Sequence, residues 1–228
     1  MYLYEWVVEN KEFLKIFYAL VIGLICAIIT IESHRLFKLS FHQGIRYFRN
    51  AFLFYGLAFV TRYLVGNVFL YMGIKEYCFI TRIAFEFFLI MAGFFLLYSL
   101  LWKRFEGEKN YRSSLFNLPI MIFYLMTIII INLDYTWNKY AFMFFSQFVI
   151  FSIASLISYN NYIKNKGKHK FLKFYFLAIV LSFIGWLLNF LLVIWIGWSQ
   201  GILMNIYGLN IIIFLLFLYG VIKITRRK

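Results

Sequence analysis

CFITRIAFEFFLIMAGFFLLY, residues 78–98, decides the fold. As a helix rising about 1.5 Å per residue it spans about 30 Å, the thickness of a bilayer's hydrocarbon core. It nevertheless holds Arg82 and Glu86. The preceding apolar run, NAFLFYGLAFVTRYLVGNVFL at 50–70, holds Arg62. Each such charge costs about 2.5–3.5 kcal/mol to place at the centre of a membrane helix, so these side chains are expected to face protein, water or one another.

Composition agrees with a membrane setting. Of 228 residues, 64% are hydrophobic and 14% charged, with a mean hydropathy of +0.81. A soluble domain needs more polar surface than that. The short alternating segments of a transmembrane barrel are absent from the sequence. The fold class expected is all-α, a polytopic integral membrane protein with one domain over 1–228. Its seven helices are placed near 13–36, 47–71, 78–102, 116–133, 140–162, 171–196 and 201–222. No soluble domain is expected. The N-terminal stretch, with Glu5, Glu9 and Glu12, lacks the basic start of a signal peptide, so residues 13–36 read as a retained first helix. Pro119 falls in the first turn of the fourth helix, where a missing N–H is harmless, with Ser113 or Ser114 as its cap.

Orientation follows from charge. Arg35, Lys38, Arg46 and Arg49, then Lys103, Arg104, Lys109 and Arg112, then Lys164, Lys166, Lys168, Lys170 and Lys173, then Lys223, Arg226, Arg227 and Lys228 all fall on one side. The other side holds Lys11, Lys15, Lys75 and Lys139. By the positive-inside rule the N-terminus is outside and the C-terminus cytoplasmic, in the cytoplasmic (plasma) membrane. The net charge of +14 is thereby explained without a nucleic-acid partner. The expected surroundings are the bilayer, with a cytoplasmic signalling partner at the basic inner loops.

Depth then groups the polar residues. Arg62 lies fifteen residues into a span entered from inside, and Glu86 eight residues into one entered from outside. Adjacent antiparallel helices bring them level, allowing an interhelical ion pair, while Arg82 is at the i,i+4 spacing from Glu86. Asn67, Gln147, Trp186, Asn189, Asn205, Tyr207 and Asn210, with Ser182 and Gly185 beside them, are candidate linings of a pocket open to the outside. Two readings stay open: a ligand or ion site, or interhelical glue. Glu32 is read as an interfacial partner for Arg35 or Arg46.

Catalytic chemistry is not apparent. His34, His42 and His169 fall at loops or span ends without clustered carboxylates, so no metal is expected. Cys26 and Cys78 support no disulfide framework. No phosphate-binding glycine loop or nucleophile motif is present in the sequence. No cofactor is expected either. Seven helices with an external N-terminus resemble microbial rhodopsins in topology. The last helix, ILMNIYGLNIIIFLLFLYGVIK, has its lysine, Lys223, at the end instead of the middle, which argues against a retinal Schiff base.

RLFKLSFHQGIRYFRNAFLFYGLAFVTRYL, Arg35 to Leu64, resembles the first-loop and second-helix region of prokaryotic seven-helix membrane sensor modules. The shared features are a basic first loop, a glycine before an aromatic and basic run, and an arginine late in the helix. Some such modules precede kinase or cyclase domains, and others stand alone. The resemblance implies a sensory, ligand-binding function. Two alternatives remain: a small transporter or channel using Arg62, Arg82 and Glu86, and a structural or assembly subunit of a membrane complex. The transporter reading is weakened by the lack of proline-broken spans.

Overall fold

Apolar runs without internal proline fold as helices in lipid, because each backbone N–H and C=O must be satisfied within its own segment. A computed structural model of the chain is helical throughout its regular structure and describes residues 10–73, 75–105, 115, 118–137, 140–164, 170–195 and 200–225. In chain order the helices are α1 (Lys11–Ser40), α2 (Gln43–Phe59), a π-helical turn (Val60–Val65), α3 (Gly66–Tyr71), α4 (Lys75–Phe105), α5 (Leu118–Trp137), α6 (Ala141–Lys164), α7 (Lys170–Trp195) and α8 (Gln200–Thr225). Among the described residues, six stretches are long and apolar enough to cross a membrane: Phe13–Ser40, Gln43–Phe69, Phe79–Trp102, Leu118–Trp137, Ala141–Lys164 and Lys173–Leu191. The chain thus has the helix lengths and composition of a multi-pass membrane protein. The last helix contributes a shorter apolar stretch, Gly208–Lys223.

Several helices run past the bounds their apolar cores suggest. The first connection shrinks to Phe41 and His42, so Arg35, Lys38, Arg46 and Arg49 lie on the end turns of α1 and α2. Lys and Arg permit this, since their long stems reach water from a helix that continues inward. Phe41 closes α1 in a left-handed conformation, φ 50°, and its N–H donates to the Phe37 carbonyl at 2.8 Å. α5 likewise continues to Trp137, four residues beyond its expected end at 133. Pro119 is its second residue, as the first-turn reading requires. Ser113 and Ser114 lie outside the described residues.

Packing follows a ring. α1 packs on α2, α2 on α4, α4 on α6, α6 on α7, α7 on α8, and α8 returns to α1. α5 lies outside the ring against α4 and α6. Burial separates these roles: 67% of the α4 apolar window is buried, against 17% of that of α5. Met91 to Tyr98 form an unbroken buried run on α4, and Tyr98 meets Tyr47 of α2 edge-on at 4.6 Å. Close approach of α2 to α4 rests on Gly44. A Cβ there would lie 2.7 Å from Trp102 Nε1 and 2.9 Å from the Ser99 carbonyl oxygen.

Gly44→Ala is therefore expected to destabilise the bundle by about 1–3 kcal/mol through overpacking. Gly208→Ala, where the added Cβ meets nothing within 4 Å, should be neutral or stabilising by up to about 1 kcal/mol, because the helix then loses less entropy on forming. Unfolding midpoints of the two purified variants measure this; equal loss in both would refute the Gly44 contact.

Candidate functional site

Charged residues collect where α2, α4, α5 and α6 meet. Glu86 is 1% exposed, and its Oε1 accepts from Arg82 Nε at 3.0 Å, one helical turn away. Arg82 Nη2 donates to the Asp134 carbonyl oxygen at 3.4 Å, and its guanidinium carbon lies 4.4 Å from the centroid of the Tyr140 ring. Arg62 reaches the same tyrosine from the π-helical turn after α2, at 5.2 Å, and stacks more closely on Phe85 at 4.3 Å. Its charge, like that of Asp134, acts on Glu86. The ion pair of Glu86 with Arg82 is thus the i,i+4 one, which needs no reach between helices. Arg62 lies against the Phe85, Tyr140 and Tyr63 rings.

Asp134 is the member that sequence reasoning missed. It is 0% exposed. Oδ1 accepts from the N–H of Phe142 at 2.9 Å, and Oδ2 from that of Met143 at 2.6 Å. These are the second and third residues of α6, whose N–H groups have no partner within their own helix. A carboxylate from the last turn of α5 thereby caps α6, aided by charge-assisted hydrogen bonding and by the positive end of the helix dipole. Two guanidiniums and two carboxylates balance, and the assembly carries no formal net charge.

Arg62 sits in the π-helical turn, where the Gly66 N–H donates five residues back to Thr61. Such wide turns are often found at functional sites. Neither Gly nor Pro interrupts Val60–Val65 itself, so the sequence offered no local signal of it.

The remaining candidates separate. Gln147 is fully buried and donates from Nε2 to the Leu89 carbonyl at 3.2 Å, with its amide against Gly93, where a Cβ would lie 2.7 Å from Oε1. It acts as glue between α4 and α6. Asn189 donates to the Gly185 carbonyl of its own helix at 2.9 Å. Asn67 is partly buried, and its Nδ2 has no partner among the described residues. The side chains of Asn205 and Tyr207 lie outside those described. Glu32 pairs with Arg35 at 3.1 Å. His42 meets Trp102 edge-on at 4.9 Å. Cys26 is buried, and the Cys78 side chain and His169 lie outside the described residues. Among the described residues no cluster of His, Cys, Asp or Glu could hold a metal.

Trp186 and Asn210 do share a cavity, together with Ser182, Tyr55 and a ring of phenylalanines that includes Phe52, Phe59 and Phe214. Its volume is about 30 Å³, against the roughly 10–15 Å³ that one water occupies on this measure. Asn210 Nδ2 donates to the Tyr18 hydroxyl of α1 at 3.1 Å, and Ser182 to the Ala178 carbonyl at 2.8 Å. The buried Tyr55 hydroxyl has no partner among the described residues. An unpartnered buried polar group of this kind costs about 1–3 kcal/mol. The charged cluster and the cavity are thus lined by different residues.

Comparison with known proteins adds one relative. An uncharacterized protein of Archaeoglobus fulgidus is 34% identical over 104 residues, covering 40% of this chain and 45% of the relative. No family model matches the chain, and no solved structure does. This chain therefore covers less than half the length of that relative.

Removing one member of the cluster should expose the dependence of the others. Glu86→Ala and Arg82→Ala are each expected to destabilise by about 3–5 kcal/mol, because an uncompensated buried charge remains. The double variant should be less damaged than the sum, with a coupling of about 1–3 kcal/mol. Additive losses in a double-mutant cycle would refute the pairing. Asp134→Ala should separately cost about 1–2 kcal/mol through loss of the α6 cap.

Proposed function

We propose that this chain is a seven-helix sensory, ligand-binding protein of the cytoplasmic membrane. Its N-terminus is outside and its C-terminus cytoplasmic. α8, at 26 residues, is long enough for the seventh crossing. The distribution of basic residues supports the orientation.

The observation that carries the reading is the Tyr55 hydroxyl, without a partner among the described residues, beside an aromatic cavity shared by α2, α4, α6, α7 and α8. Ligand sites combine this character: mostly apolar walls with a few polar groups that fix orientation. The ligand class is a small neutral amphiphile. Its hydrogen-bonding head meets Tyr55, and its apolar body displaces the phenylalanine rings. Phe59 lines the cavity and immediately precedes the π-helical turn, where α2 is already irregular and can adjust. Ligand binding shifts the packing of α2 and alters the basic inner ends of the helices, where a separate signalling partner docks.

This reading is favoured over a carrier because the charges at Arg62, Arg82, Glu86 and Asp134 are engaged with one another, with aromatic rings or with the α6 N-terminus. A transported ion would have to displace those contacts. The cluster on this view holds the outer ends of the helices while the cavity responds.

Thermal stability in nanodiscs, screened against short alcohols, phenols and indoles, tests the proposal. At least one class should raise the wild-type midpoint, and Tyr55→Phe should weaken that binding by about tenfold, corresponding to about 1.4 kcal/mol for one hydrogen bond. A panel without effect, or an effect unchanged in Tyr55→Phe, would overturn it.

A further inference from the structure

At the opposite end of α2, Arg49 presents the reverse of the balanced cluster. Its Nη1 donates to His34 Nδ1 on α1 at 2.9 Å, and its Nη2 to Asn50 Oδ1 at 3.1 Å. Both acceptors are neutral. A guanidinium can only donate, so His34 Nδ1 must accept, and the imidazole is neutral with its proton on Nε2. The charge acting on Arg49 is that of Arg46, another cation. Arg46 lies one turn away on the same face of α2, with its guanidinium carbon 5.9 Å from the Phe37 ring centroid. The carboxylate of Glu32 is engaged by Arg35 at 3.1 Å.

A half-buried cation held, among the described residues, only by neutral acceptors retains most of its desolvation cost, which an anion would relieve. Arg49 has further N–H groups beyond the two used, and His34 offers Nε2–H. This donor set, with the fork geometry of arginine, suits a phosphate.

Position supplies the source. His34 lies six residues before the end of α1, and Arg49 six after the start of α2. Each is therefore about 9 Å along its helix from the turn. α1, at 30 residues, is about 45 Å long, matching a bilayer with its headgroups. The two residues thus stand close to the boundary between headgroups and hydrocarbon, from which the long arginine stem reaches the phosphates. One turn deeper on the same faces, Ile31 and Leu53 are exposed and give acyl chains an apolar track.

We propose that the seam between α1 and α2 binds a phosphate group through Arg49, Arg46 and His34, with an anionic phospholipid headgroup as its natural source. The inference is independent of the Tyr55 cavity.

Delipidated protein would be reconstituted in nanodiscs of phosphatidylcholine, with or without phosphatidylglycerol, and its unfolding midpoint and retained lipid measured. Phosphatidylglycerol should raise the wild-type midpoint and be retained in detergent. Arg49→Gln should reduce retention about tenfold while keeping its midpoint in pure phosphatidylcholine, and Arg49→Lys should retain an intermediate amount. Lys223→Gln, at the far end of the chain, should behave as wild type. In a further arm, inorganic phosphate is added to phosphatidylcholine nanodiscs. Protection there that Arg49→Gln abolishes also supports the site, with a soluble anion as its source. Equal retention of both lipids, or equal loss of stability by Arg49→Gln in every lipid, would overturn the proposal.

Discussion

A carboxylate with no solvent exposure needs donors on every side, and Asp134 finds them at the start of another helix. Its two oxygens take the N–H groups of Phe142 and Met143, and its backbone carbonyl accepts from Arg82. α5 otherwise has little reason to stay in place, since so little of its surface is buried. In lipid, apolar contact gives weak preference for one helix neighbour over another, because lipid tails are as apolar as leucine. Polar contacts must therefore fix the register of α5 against α4 and α6. Asp134 does so at one end, and Thr127 does so deeper, where its hydroxyl approaches Met91 sulfur at 3.3 Å.

The same constraint explains why the charged cluster and the cavity are separate. Charges in a low-dielectric interior must be balanced closely and permanently, which suits a fixed joint between helices. On the proposed reading, the cavity needs the opposite: groups whose partners can be exchanged at modest cost. Tyr55, Ser182 and Asn210 are neutral, and the walls about them are mostly aromatic. The bundle thus keeps its ionic chemistry where α5 and α6 turn and its neutral polar chemistry near mid-helix.

The all-helical, multi-pass character and the approximate bounds of the six long apolar helices were legible in the sequence, because about twenty consecutive apolar residues leave few alternatives. The i,i+4 relation of Arg82 and Glu86 was legible for the same local reason. Asp134 was not. The apolar run ends at Leu133, so the aspartate read as loop, whereas α5 continues one turn further because Asp134 is satisfied by α6. The π-helical turn was hidden as well, since neither Gly nor Pro in Val60–Val65 marks it. Depth estimates placed Asn189 and Gln147 level with Glu86, but depth gives no direction around a helix. Their amides turn to backbone carbonyls instead.

Arg49 near the start of α2 and Arg62 in the π-helical turn that follows it show how charge is managed along one continuous segment. Arg62 lies among Phe85, Tyr140 and the neighbouring carboxylates, so the protein itself compensates it. Arg49 faces an imidazole and an amide, with Arg46 nearby. An arginine compensated from within constrains helix packing whatever the lipid. One compensated from outside makes packing depend on what the membrane supplies, because an anion there would bridge α1 and α2. Since α2 also carries Tyr55 between these two arginines, a change in headgroup at Arg49 and a ligand at Tyr55 would act on the same helix, from one end and from its middle.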